Sequence, residues 1–487
     1  MASQTRVILA GLSWTTIGEA GKLVIQLAGI AIMTRLLPPS DFGLVALASV
    51  ITSFAAVIQD FGTSTALVQR KEINQQLIST IFWMNVGIGL GLCLIVAGTA
   101  PLGAYVLADD RLTGVLIGLS VVFPLSTAGA MHRALMQRER RYKTLVRQEL
   151  INGAFSLGCA IVAAKLGLGV YALIVQHIVT VTLSTLQSWF SNKARPGFEW
   201  SRVEFGKTWH FTSHLLVFRT VNYFSGNADN ILIGRLLGAT ELAWYSMAYR
   251  IMIVPIMSIG RIVTRVMLPH FSSGQDDPMK IGRQFVAMIS LLTVLVWPGF
   301  ALVWGLRVPF VDVVFGPQWE RVADVLAWLA LAGMAKIVAY HTGTLLTALG
   351  NTRQLRNNGL IASTINVVGF SIGVSFGIVG VAIASFVAST LLSSYVMDVS
   401  LKLVGQSALS MGRAVWRQGL FSAIIGVAAW TADLYLADFL HPLARLVLIG
   451  AGGGLLYLAL LGLFARDIVR EVLKLRKSAR PLPKPEQ

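Results

Sequence analysis

The feature that most constrains this chain is a succession of fourteen apolar segments joined by short polar stretches. They centre near Lys22, Ser53, Gly89, Phe123, Gly153, Val179, Asn222, Pro255, Leu295, Ala335, Val367, Ser389, Gly426 and Leu455. Most approach the ~20 residues that a helix needs to cross a hydrocarbon layer. In lipid, backbone donors and acceptors must pair within the segment, so such a chain folds as a bundle of transmembrane helices. Charged residues make up 13% of the chain, about half the ~25% of a soluble protein. No polar stretch is long enough for a soluble domain. Cys93 and Cys159 lie in apolar segments, which reads as core packing and not as a disulfide framework or metal site. At the N-terminus, Arg6 precedes an apolar run interrupted by Glu19 and Lys22. That is a poor signal peptide, so the run is expected to be an uncleaved first span.

The net charge of +17 follows the loops. Alternate loops are basic, as around Arg138, Arg140, Arg141, Lys143 and Arg147, and the tail adds Arg466, Arg470, Lys474, Arg476 and Lys477. The other loops hold only Arg35, Arg111, Lys165, Arg235, Arg307, Arg321 and Arg445. Positive charge is retained on the cytoplasmic side, so this alternation places both termini there. It accounts for the basicity without nucleic acid.

A duplication is written into the turns. Arg35-Leu36-Leu37-Pro38-Pro39-Ser40-Asp41-Phe42-Gly43 is echoed by Arg235-Leu236-Leu237-Gly238-Ala239-Thr240-Glu241-Leu242-Ala243. Gly167-Leu168-Gly169-Val170-Tyr171-Ala172 is answered by Gly377-Ile378-Val379-Gly380-Val381-Ala382. Units starting at spans one and seven are separated by an even number of spans, so they have the same orientation. The expected fold is an all-α integral membrane protein of about 14 helices. Two parallel six-helix lobes surround a central cavity, with two extra C-terminal helices. The predicted divisions are 1–192 for the N-terminal lobe, 193–207 for a cytoplasmic linker and 208–402 for the C-terminal lobe. Residues 403–466 hold spans thirteen and fourteen, and 467–487 a basic tail. In that tail Ile468, Val469, Val472 and Leu475 share one helical face, which suits anionic lipid.

Charges inside the spans mark the candidate site, because a charge at mid-bilayer costs ~2.5–3.5 kcal/mol on insertion scales and needs a cavity or partner. The first span carries Thr15, Glu19, Lys22 and Gln26 on one face. The seventh carries Arg219, Asn222, Ser225 and Asp229, with His210 and His214 a turn apart near its inner end. Arg250 lies on the eighth span, Lys336 on the tenth, and Asp60 at the inner end of the second. Structural readings stand beside these. Glu19 and Lys22 can neutralise each other, Arg219 and Asp229 can pair between helices, and Arg250 can snorkel. The histidines can be satisfied interface residues, and Asp60 a helix-end residue. If most of the charges face one cavity, it is cationic and suits an anionic substrate such as a diphosphate or acidic sugar. Glu19, Asp229 or His214 are then candidates for proton coupling.

No Walker motif, Gly-x-Ser-x-Gly elbow, His-Glu-x-x-His or acidic metal motif occurs. No catalytic residue, cofactor or metal is expected. A polysaccharide polymerase or ligase would need a large outer loop with catalytic basic residues. A multidrug/cation antiporter is the nearer alternative, though such proteins usually have twelve spans and an acidic cavity.

Residues 34–44 (Thr34-Arg35-Leu36-Leu37-Pro38-Pro39-Ser40-Asp41-Phe42-Gly43-Leu44) resemble the first-span exit of bacterial polysaccharide repeat-unit flippases. So do Asp60-Phe61-Gly62-Thr63-Ser64-Thr65-Ala66 and Ser79-Thr80-Ile81-Phe82-Trp83-Met84-Asn85. Asp229-Asn230-Ile231-Leu232-Ile233-Gly234-Arg235 and Tyr245-Ser246-Met247-Ala248-Tyr249-Arg250 are similar to spans seven and eight of that family. It belongs to the multidrug/oligosaccharidyl-lipid/polysaccharide exporter superfamily, and the likeness is to its colanic-acid-exporter-like branch. The resemblance implies alternating access and flipping of an undecaprenyl-diphosphate-linked oligosaccharide across the bacterial inner membrane. It implies a cationic cavity lined by Lys22, Arg219 and Arg250; Lys336, Asn222 and Gln26 are further candidate contacts read from the residues themselves, not from the resemblance. A polysaccharide polymerase and a chain-length regulator are the partners it implies. Glu19 beside Lys22 departs from the sister family of lipid-linked peptidoglycan-precursor flippases, which favours arginines on that span.

Overall fold

Where the apolar runs predict helices, the computed structural model has them among the described residues, and several begin or end on a readable signal. It describes residues 18, 21–59, 67, 73–192, 194–202, 220, 223, 226–275 and 277–465, without the side chains of 262, 265 and 266. Among the described residues there is no strand. The first span is helical over 21–36. Pro39–Gln59, Gln75–Leu107 and Leu112–Arg138 follow as spans two to four. Spans five and six are Tyr142–Lys165 and Tyr171–Ser191. The described end of the seventh is Ala228–Leu236, and the eighth is Ala239–Ser272. Spans nine to twelve are Pro278–Gly305, Arg321–Ala348, Thr352–Gly373 and Gly377–Leu403. Ala408–Leu436 and Pro442–Phe464 complete the series. Every predicted centre falls in one of these helices except Asn222, which lies outside the described residues. Nine helical segments among the described residues, one of them joining spans eleven and twelve, are long and apolar enough to cross a membrane.

The starts are built from polar caps and from proline at the first turn, whose missing N–H costs nothing there. Asn74 Oδ1 accepts from Leu77 N at 2.8 Å, and Asp277 Oδ1 accepts from Lys280 N at 3.0 Å ahead of Pro278. Ser407 and Ser410 cap each other reciprocally. Two long spans are interrupted, the fourth at Val121 and the tenth at His341.

The duplication is visible in the helix boundaries. Helix ends at residues 36 and 236 are followed by starts at Pro39 and Ala239. Further on, left-handed residues Arg140 and Gly350 sit in matching turns before Tyr142 and Thr352. Gly167 and Gly377 are also left-handed.

By internal contacts the chain divides into two compact units, Met1–Ala243 and Trp244–Gln487. In the first, Gly18, Gly21 and Gly29 of span one lie against Val146, Leu150 and Leu157 of span five. Small residues give such close approach in lipid, where packing replaces the hydrophobic drive. The segment 194–200 is tied to span three. Gly197 N donates to Ser79 Oγ at 2.9 Å, Trp83 Nε1 donates to Gly197 O at 2.9 Å, and Phe198 stacks on Trp83 at 5.5 Å.

In the second unit, the thirteenth span packs on the ninth. Gln418 Nε2 donates to Ser290 Oγ at 2.9 Å, and a Cβ on Gly305 would come within 2.6 Å of Gly426 O. Tyr457 hydroxyl ties the fourteenth span to Val294 O at 3.1 Å. Between spans thirteen and fourteen, Arg445 Nη1 pairs with Asp433 Oδ1 at 2.9 Å, both buried. Arg445 reads in the sequence as an outward loop charge; here it is in the first turn of a span and faces inward.

Candidate functional site

The glycine stripe of the first span decides what Lys22 meets. Gly18 and Gly21 admit Val146 and Leu150 of the fifth span, and Glu149 shares their helical neighbourhood. Lys22 Nζ forms an ion pair with Glu149 Oε2, both side chains being partly exposed. Gln26, one turn along, is exposed. A charge within the fifth span was not singled out from the sequence. Its signal was present, because Glu149 is the acidic residue in an otherwise basic helix start. Glu19, the other candidate partner of Lys22, lies outside the described residues, as do Arg219, Asn222, His210, His214 and Asp60.

Asp229 sits in the first turn of Ala228–Leu236, is 3% exposed, and accepts from Asn230 N at 2.8 Å. An acidic residue there also suits the helix dipole. The segment carrying it is held on the second span. Tyr223 hydroxyl donates to Val50 O at 2.7 Å, and its ring lies 5.7 Å from that of Phe54. Gly234 is pressed by Leu47, and Gly43 by the backbone of Ala239. The two copies of the repeated turn therefore touch one another.

In the second unit the eighth and tenth spans run side by side. Their pairings advance together, from Tyr249–Lys336 through Gly260–Tyr340 to Thr264–Thr344. Lys336 Nζ lies 5.2 Å above the Tyr249 ring centroid, a cation–π contact. Tyr249 stacks in turn on Tyr245 at 6.1 Å. Arg250, next in the chain to Tyr249, is exposed; of the predicted cationic residues, Lys336 is the one seated on the aromatic patch among the described contacts. The aromatic member is not singled out in the sequence, where Tyr245 and Tyr249 figure only as part of the 245–250 motif. Such a patch helps keep a cation charged at membrane depth. No group of three or more His, Cys, Asp or Glu that could hold a metal occurs among the described residues.

Comparisons with known proteins agree with this architecture. The chain is 29% identical to the lipopolysaccharide biosynthesis protein WzxC of Escherichia coli K12, over 70% of each chain. It is 26% identical to the teichuronic acid biosynthesis protein TuaB of Bacillus subtilis 168, over 95% of this chain and 96% of that one. Its fold matches the lipid II flippase MurJ in an inward closed conformation with a TM-score of 0.71 at 15% identity, over 95% of this chain and 100% of that one. An inward-facing multidrug transporter of the MOP superfamily matches with a TM-score of 0.57 at 14% identity, over 79% and 94%. The family model described as "Polysaccharide biosynthesis protein" matches residues 32–324, more than half of the sequence, and the chain belongs to that family.

Proposed function

We propose that this protein is a flippase. It moves an undecaprenyl-diphosphate-linked oligosaccharide from the inner to the outer leaflet of the bacterial cytoplasmic membrane, for export of a surface polysaccharide. The observation that carries this reading is Lys336 seated on the Tyr249 ring, inside the spans of a polysaccharide-biosynthesis family member. A membrane-embedded cation held on an aromatic face is retained at a cost, and an anionic substrate offsets that cost. Relatives named for lipopolysaccharide biosynthesis, teichuronic acid biosynthesis and succinoglycan biosynthesis transport support the substrate class.

In this reading residues 1–192 and 208–402 are the two rocking lobes, joined by 193–207, and both termini face the cytoplasm. Lys22, Arg219 and Arg250 hold the diphosphate, while Lys336, Asn222 and Gln26 line the chamber that takes the glycan. The prenyl tail stays in lipid. Glu19, Asp229 and His214 are the candidates for coupling to a proton. A polymerase and a chain-length regulator act on the product outside, and the chain itself performs no covalent chemistry.

The test is export of surface polysaccharide by Arg250→Ala, Arg219→Ala and the double variant, with membrane levels checked by immunoblot. Loss of export at normal protein level supports the reading. Full export by the double variant removes it.

A further inference from the structure

A further cation lies at membrane depth, apart from the residues considered so far. Arg133 is on the fourth span, five residues from its end at Arg138. A snorkelling arginine reaches for the nearer surface. This one runs the other way, helped by the backward tilt of helical side chains. Its Nη2 donates to Ser126 O at 2.7 Å, seven residues upstream. Ser126 lies twelve residues before Arg138, about 18 Å along the axis at 1.5 Å per residue, near the middle of the Leu112–Arg138 span.

The place is built. The guanidinium lies across Gly129, where a Cβ would come within 2.6 Å of Arg133 Nη1 and 2.8 Å of Thr185 Oγ1. Thr185, on the sixth span, donates to Leu125 O at 2.7 Å, and Gln59, at the end of the second, donates to Ser126 Oγ at 2.5 Å. Polar groups from three spans thus gather around one guanidinium at mid-depth. No carboxylate forms an ion pair with Arg133 among the described residues. Of its five N–H groups, the one bonded to Ser126 O is the one with an acceptor there. Arg133 is half-buried. An arginine does not shed its proton, and a mid-membrane guanidinium with open donors calls for an acceptor of opposite charge.

We propose that Arg133, bedded on Gly129 between the fourth and sixth spans, is an anion-binding station that takes an oxyanion of the transported head group. That oxyanion is either the lipid phosphate or a carboxylate on the glycan. The role rests on the flippase reading, but binding is measured without it.

The experiment uses the purified full-length protein in lipid nanodiscs. Its thermal stabilisation is titrated with sodium diphosphate and, separately, with sodium glucuronate, at matched ionic strength. The variants are Arg133→Gln, Arg133→Lys and Gly129→Ala, the last keeping the charge but filling its cradle. One charge-assisted, forked contact predicts a midpoint about tenfold to a hundredfold higher in Arg133→Gln, with Arg133→Lys between. Loss of the diphosphate response alone assigns the phosphate, and loss of the glucuronate response alone assigns an acidic sugar. Gly129→Ala weakens the same response, which keeps the test decisive if Arg133→Gln does not fold. Titrations that are the same in all variants, or no response in the wild type, overturn the site. Because export is not read here, the station can stand where the flippase reading fails, and the reverse.

Discussion

Replacing Asp433 with alanine leaves Arg445 charged in a place that water does not reach. The two side chains are 9% and 11% exposed and meet at 2.9 Å through Arg445 Nη1, and the buried Arg445 Nε has no hydrogen-bond partner among the described residues. Breaking a buried pair on one side costs about 3–5 kcal/mol, because the remaining charge keeps its desolvation penalty and loses its compensation. Replacing both members with apolar residues of similar size is close to neutral. Asp433→Ala is therefore expected to lower the melting temperature of the detergent-purified protein clearly, and to open the 437–441 turn to limited proteolysis. Asp433→Leu with Arg445→Met is expected to recover most of the loss and to retain export. That result would make the pair a clamp between the two C-terminal helices and not part of the transport path. A single variant that melts like the wild type, or a double variant no better than the single, would refute the reasoning.

Three further outcomes follow from the contacts. Tyr249→Ala removes the face beneath Lys336, a contact of about 0.5–2 kcal/mol, and should reduce export while Tyr249→Phe keeps it, measured by surface polysaccharide per membrane protein. Lys22→Glu should impair accumulation by setting two carboxylates together, and adding Glu149→Lys should restore the protein level on an immunoblot. Gly380→Val places a side chain against the carbonyl of Gly373 between spans eleven and twelve, and should abolish stable insertion, read as loss of monodisperse protein by size exclusion.

The spans were legible because a long apolar run in lipid has one solution, and the repeat because its turns carry Pro, Gly and hydroxyl-acid pairs at matched offsets. Helix ends at 36 and 236 and left-handed residues at 140 and 350 show how far that local signal reaches. The interruptions at Val121 and His341 carry no comparable mark, because neither residue is a breaker. The site was legible in part. Lys336 and Arg250 stand out as charges in apolar surroundings, a property of single residues. Their partners are set by helix packing. Lys22 meets Glu149 because glycines bring the first and fifth spans together, a contact 127 residues apart in sequence. Tyr249 under Lys336 and Asp433 against Arg445 likewise depend on which faces meet. Arg133 was hidden by its position beside a basic loop, and only the direction of its side chain separates it from the topology-setting charges.

The most direct test of the central claim is the lipid-linked glycan pool in a deletion strain. It is extracted and weighed by mass spectrometry, with leaflet assigned by an impermeant glycan-modifying reagent on spheroplasts. The account predicts that undecaprenyl-diphosphate oligosaccharide accumulates on the cytoplasmic leaflet while surface polysaccharide is lost. An unchanged pool, together with altered sensitivity to cationic drugs, would contradict it in favour of an antiporter.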